Sequence, residues 1–236
     1  MKQSLFLFFL ISLPLTGFTQ ELNGIELLDK AIAYHDPQNQ WKSFNGSFLI
    51  TMQSPNRPLR KSKITLDLPK SYFRLAVERD GISTSYLLEG NNCSLSLNGR
   101  KDFSPEEAKA NQLNCERATL MKDYYTYLYG LPMKLRDPGT RLHPVVLNKK
   151  FKGKEYLVLK VTYDKEVGED SWYFYFDPET YAMEVYQFFH NESLNDGEYI
   201  LLSGEETIQG IRMPKVRAWY YNKDNTYLGT DTLIPE

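Results

Sequence analysis

Side chains able to do chemistry are few and poorly spaced for catalysis. The three histidines, His35, His143 and His190, stand far apart. None has a partner at the spacing that places two imidazoles on one helical face for a metal. His35-Asp36 looks like a hydrogen-bonded pair, but Pro37 follows at once. A residue before proline disfavours the helical region, so the pair reads as a helix stop rather than as a general base with its orienter. Glu205 and Glu206 are adjacent; on a strand, neighbours point to opposite faces and do not make a catalytic pair. There is no Gly-x-Ser-x-Gly elbow and no glycine-rich phosphate loop. Two carboxylates distant in sequence suffice for glycoside hydrolysis, which keeps a hydrolase as a third reading behind two non-catalytic ones. No catalytic residue, metal ligand or cofactor is assigned.

The two cysteines, Cys93 and Cys115, have a simpler role. An even count in an exported chain favours a disulfide, worth roughly 3 kcal/mol by loop closure; two buried free thiols are the alternative. Export is read from residues 1–19. Lys2 gives a positive start, residues 5–15 form an apolar run, and Gly17 and Thr19 are small residues before a cut near Thr19-Gln20. That is the pattern of a signal peptide. The run is shorter than the about 20 residues of a membrane span, and no cysteine near the cut offers a lipid anchor. The mature chain is expected to be periplasmic or secreted and not membrane-spanning. A net charge of −2 over 236 residues argues against nucleic acid, which requires a clustered positive surface.

Residues 20–236 read as one domain, mainly β with a helical insert. Asn23 with Glu26 predicts a capped helix whose stripe is Ile25, Leu28 and Ile32, broadened by Leu27, Ala31 and Tyr34. Alternation at Phe44, Phe48 and Ile50, at Ile64 and Leu66, at Phe73 and Leu75, over 82–88 and at Cys93 and Leu95 predicts five strands in a meander. The pattern becomes helical over about 104–130, with Ser104-Pro105 as its start, a break near 111–114, and a buried stripe of Leu113, Leu120, Met121, Tyr124 and Leu128. Residues 130–154 read as irregular and basic. Lys134, Arg136, Arg141, Lys149, Lys150, Lys152 and Lys154 face only Asp137, as a solvated loop or as an electrostatic lure for an anionic group.

Strands resume at Glu155, with Leu157, Leu159, Val161 and Tyr163 on one face. The hairpin over 171–189 turns at Asp177-Pro178-Glu179-Thr180. A four-residue loop sets Phe176 against Tyr181, Phe174 against Met183 and Trp172 against Val185. One face is then apolar, and the other, with Tyr173 and Tyr175, can be wet. Pro214 is expected at an edge or a bulge of the strand around 216–221. About eleven strands and few helices suggest an open antiparallel half-barrel wrapped on the helices. Its apolar wall would be Phe48, Ile50, Leu66, Phe73, Leu75, Trp172, Phe174, Met183 and Trp219, lining a cavity or filling a core.

This element order, with Tyr-Phe-Asp-Pro-Glu-Thr between aromatic strands, is similar to the LolA/LolB-like lipoprotein-carrier superfamily of bacterial envelopes. More closely, Ala33-Tyr34-His35-Asp36-Pro37, Trp41, residues 130–140, residues 173–178 and Gly229-Thr230-Asp231 resemble an uncharacterised family of secreted bacterial proteins. The superfamily resemblance implies an open barrel that holds acyl chains and performs no catalysis. The expected partner is then a lipid or lipoprotein. An envelope protein bound by a filled barrel is the alternative, with tyrosines near 124–129 and 219–221 as its contact surface.

Overall fold

The computed structural model describes residues 22–235; the expected signal peptide lies outside them. Helix α1 (Gly24–His35) begins with the predicted capping box: the Asn23 side chain accepts the Ile25 and Glu26 N–H groups, and Glu26 accepts the Asn23 N–H at 2.9 Å. Leu27, Leu28 and Ala31 are buried, but Ile25, expected on the stripe, is exposed. The cause is Gly24. Its N–H bonds the Pro144 carbonyl at 2.9 Å, and a Cβ there would lie 2.2 Å from the His143 carbonyl oxygen. That close approach sets the roll of the helix and turns Ile25 outward.

The predicted meander follows as β1 (Asn45–Gln53), β2 (Arg60–Asp67), β3 (Tyr72–Arg79), β4 (Ile82–Glu89) and β5 (Asn92–Leu97). The insert is two helices, α2 (Pro105–Ala110), capped by Ser104, and α3 (Cys115–Gly130). A disulfide joins Cys93 on β5 to Cys115 at the start of α3. The buried stripe of α3 is not the expected one. Ala118, Tyr125, Leu128 and Tyr129 are buried, whereas Leu120 and Tyr124 are exposed. Tyrosines occur on every side of this helix, so its apolar face is weakly marked in the sequence.

The second half contributes β6 (Thr140–Leu142), β7 (Leu147–Phe151), β8 (Lys154–Tyr163), β9 (Ser171–Phe176), β10 (Met183–Phe189), β11 (Glu198–Ile208), β12 (Ile211–Tyr221) and β13 (Tyr227–Pro235). Among the described residues, 13 strands form one antiparallel open sheet, ordered β5-β4-β3-β2-β1-β13-β12-β11-β10-β9-β8-β6, with β7 also pairing β8. The count exceeds the expected one because β6 and β7 occupy the segment read as irregular; both are short and lie between prolines and turns. β12 begins before Pro214 and runs through it. Pro214 faces Glu205 on β11, while the ladder to β13 starts only at Val216 against Thr232, so the proline still sits where one side of the strand is unpaired.

The β9–β10 hairpin has a different register from the expected one. Met183 faces Phe176, Tyr186 faces Phe174 and Phe188 faces Trp172, with a bulge between Met183 and Val185. The loop has six residues because the Asp177 carboxylate gathers the N–H groups of Glu179 and Thr180 and Tyr181 adopts φ 65°. The Met183 N–H then donates to His35 Nε2 at 2.9 Å, which anchors the bulge to α1. One face of the hairpin, with Trp172, Phe174 and Phe176, joins the main core under α1 and α3. The other is not wet. Tyr156, Val158, Tyr173, Tyr175 and Val185 form a second buried cluster, with Phe151 of β7 packed on it.

Candidate ligand-binding cleft

A cleft of about 920 Å³ opens beside α3. Its apolar and aromatic lining comes from Leu66 on β2, Leu120, Tyr124 and Tyr127 on α3, Tyr163 on β8 and Trp172 on β9. Five strands (β1, β13, β12, β11 and β10) separate β2 from β9 in the sheet. Both still reach one cleft, so the sheet curls around the helix. Residues 120, 124 and 127 follow i, i+4, i+7 spacing and present one face of α3. The Tyr127 and Tyr163 hydroxyls meet at 2.5 Å, and the Tyr127 ring lies 5.6 Å from Trp172, edge to face. Burial pushes the Tyr163 phenol up to about 12 and raises Tyr127 as well. The aromatic wall is therefore uncharged at neutral pH. The rim carries charge of both signs: Lys122 with Asp123 at 3.8 Å, Lys134 with Asp137, and the acids Glu166 and Asp170, the latter bonded to His190 outside the cleft at 2.7 Å.

Of the nine wall residues expected from the sequence, Leu66 and Trp172 line this cleft. Phe48, Ile50, Phe73, Leu75, Phe174 and Met183 are buried in the core below it, at 3% exposure or less. Trp219 is half-buried on the same inner face, edge-on to Tyr186. All nine belong to one cluster, contributed by both halves of the chain.

Sequence reasoning missed a polar knot inside this wall. Arg217, 1% exposed, donates to the Pro214 carbonyl at 2.9 Å and the Leu128 carbonyl at 3.3 Å, and lies 4.0 Å over the Tyr129 ring. Asp231, also buried, accepts from the Trp219 indole at 3.2 Å. Burial raises the Asp231 pKa, opposed by Arg60 and Arg217. Arg217 and Asp231 face each other in the β12–β13 ladder. The opposite charges at that spacing were the available signal, once β12 was known to pair with β13. The expected tyrosine contact surface is corrected in part: Tyr125 and Tyr129 are core residues and Tyr127 and Tyr220 are half-buried, while Tyr124 and Tyr221 are exposed.

The basic run over 134–154 is not a free lure. Lys134 pairs with Asp137, Arg136 with Asp29, Arg141 with Asp164 at 2.5 Å, and Lys154 with Asp177 and Glu184 at 2.7 Å. Lys149 sits 4.3 Å over the Tyr173 ring, and Lys152 donates to Asn225 at 2.7 Å. Folding brings acids from distant segments to Arg136, Arg141 and Lys154, which a linear charge count does not show, while Lys150 stays exposed.

A model built from related sequences matches residues 3–236 and is described as a family of unknown function, DUF6503. The chain belongs to the DUF6503 family. Solved structures similar to this DUF6503 chain include a LolA superfamily protein from Nitrosomonas europaea, at 13% identity, TM-score 0.50, covering 90% of this chain and 91% of that one. Another is a domain assigned to outer membrane lipoprotein sorting, from Vibrio parahaemolyticus, at 12% identity, TM-score 0.50, covering 89% and 91%. A DUF1329 family protein from Desulfovibrio piger is similar at 8% identity, TM-score 0.50, covering 91% and 92%. The DUF6503 fold is thus LolA-like. No curated protein matches the chain.

The groups weighed for catalysis in this DUF6503 chain are dispersed. His35 bridges Arg212 and Met183; Asp36 accepts from the Gln40 and Trp41 N–H groups. His143 bonds within its own loop. Glu205 accepts from Tyr34 at 3.0 Å, while Glu206 pairs with Lys215 on the opposite face. Among the described residues no three of His, Cys, Asp or Glu gather to hold a metal ion, and no helix is long and apolar enough to cross a membrane.

Proposed function

We propose that this chain is an exported, non-catalytic protein that holds a lipid, a lipoprotein acyl chain or another amphiphile in the cleft beside α3. The single observation that carries this reading is the cleft: about 920 Å³, an uncharged aromatic floor and a charged rim. That is the division of polarity an amphiphile needs, and the volume lies within the ~300–1,000 Å³ of small-molecule sites. The LolA-like fold agrees with it. The leader pattern at residues 1–19 supports export to the periplasm, where lipid or lipoprotein cargo would be met.

Native mass spectrometry of protein made in a membrane-containing host, with uptake of a fluorescent fatty acid, tests the reading. Trp172→Ala should weaken uptake at least about tenfold, as loss of a central aromatic contact does. Phe174→Ala should instead lower stability by about 3–5 kcal/mol, because Phe174 is fully buried. Absence of co-purifying lipid together with no uptake of the probe sinks the proposal. A second reading, an envelope interaction module, is favoured by the six wall residues packed in the core and by exposed Leu120 and Tyr124 on α3. It predicts no lipid uptake in either protein.

A further inference from the structure

Helix α3 has another face, carrying Arg117, Met121 and Tyr125 at successive i, i+4 positions. It looks onto a separate pocket of about 310 Å³ formed with β2, β3 and β4, which shares no lining residue with the larger cleft. Three arginines converge there: Arg60, Arg79 and Arg117. Arg60 and Arg79 are direct cross-strand partners in the β2–β3 ladder. Alternation puts both on the inner face, with Ile64 and Leu75. Like charges directly opposite one another destabilise a sheet, and here nothing in the pocket offsets them. No carboxylate lines it. The acid nearest to hand, Asp231, lies 3.8 Å from Arg60 and also faces Arg217. Among the described residues neither Arg79 nor Arg117 forms an ion pair. The Nε atoms of Arg60 and Arg79 are buried without a hydrogen-bond partner, a costly state for a donor on a charged group. Burial and the guanidiniums of Arg60 and Arg57 both work against the charge on Arg79.

We propose that this pocket is an oxyanion site that takes a phosphate monoester, free or as the head group of a lipid. Guanidinium forks match the oxygens of a phosphate and hold them by charge-assisted hydrogen bonds. A dianion supplies the negative charge that Arg79 and Arg117 lack, and acceptors for the two buried Nε donors of Arg60 and Arg79. The pocket volume suits a head group rather than an acyl chain. The site goes beyond the amphiphile reading, since it lies on another face of α3 and stands or falls without the cleft.

Calorimetric titration of the purified protein with inorganic phosphate and with glycerol 3-phosphate tests the free source. Lysophosphatidic acid against lysophosphatidylcholine of the same chain, below their critical micelle concentrations, tests the head-group source. Saturable binding of the small phosphates supports a soluble ligand. A preference of at least tenfold for lysophosphatidic acid, without binding of the small phosphates, supports a lipid head group. In either case R79Q and R117Q must each weaken binding at least tenfold. R117Q changes a half-buried helix side chain without an ion pair and carries the test if R79Q does not fold. Trp172→Ala must leave phosphate binding unchanged. No binding of any phosphate, no discrimination between the two lysolipids when small phosphates also fail, or affinities unchanged in R117Q overturns the proposal.

Discussion

His35 shows how one side chain can join distant parts of this chain. Met183 N–H can only donate and the Arg212 carbonyl can only accept, so Nε2 is the acceptor and Nδ1 carries the proton. The ring is neutral, and protonation would break the bond to Met183. Burial lowers its pKa; the bond to the Arg212 carbonyl and the charge of Glu205 pull the other way, and the guanidiniums of Arg212 and Arg217 add to the lowering. For a depressed histidine the unfolded chain binds the proton first. The stabilisation is complete above about 6.5 and is lost as pH falls from there through the folded value. Denaturant midpoints should therefore drop between pH 7.5 and pH 5, and His35→Gln should flatten that slope; an equal slope in the variant refutes the assignment. The exposed His190–Asp170 pair, whose histidine is raised, acts in the opposite sense, adding stability at low pH that is lost as pH rises. The sequence made the helix stop legible at His35-Asp36-Pro37. It could not reveal partners 148 and 177 residues away, because no local pattern encodes them.

At the scale of elements, caps and turns were legible and faces were less so. The boxes at Asn23–Glu26 and Ser104–Glu107 were readable because both partners lie within one turn. The stripe of α3 was not, since a helix whose tyrosines reach Phe48, Trp172 and the cleft at once has no single apolar side. The hairpin register differed because the Asp177 carboxylate and the left-handed Tyr181 lengthen the loop to six residues, after which the Met183 N–H is committed to His35, a tertiary contact no local pattern encodes. The disulfide anchors the otherwise weakly specified α3 to the sheet at its first residue. It bridges a separation of 22 residues, and its loss should cost about 3 kcal/mol. For a chain of this size that is about 6–12 °C in Tm, readable by calorimetry with and without reductant. An unchanged Tm would mean that packing alone fixes α3.

For the whole molecule, the strand count and open sheet were nearly legible, because alternation marks long strands well. The order of strands was not. The two halves join through β1 and β13, where Leu49 faces Ile234 and Thr51 faces Thr232. The inner core draws on both halves, so the halves should not unfold separately. Tryptophan fluorescence reports Trp41, Trp172 and Trp219, and far-UV dichroism reports the sheet. Both should trace one coincident denaturant transition. Two separated transitions would show that the β1–β13 seam is weak.

That seam also has a consequence for biosynthesis. β13 follows every other strand in the chain, yet its place is beside the first. Until residues 227–235 have emerged, β1 and β12 each present a raw edge of unpaired amides to whatever is near. A nascent chain in this condition invites association with its neighbours. The interval before the last strand arrives is when this protein most needs a chaperone.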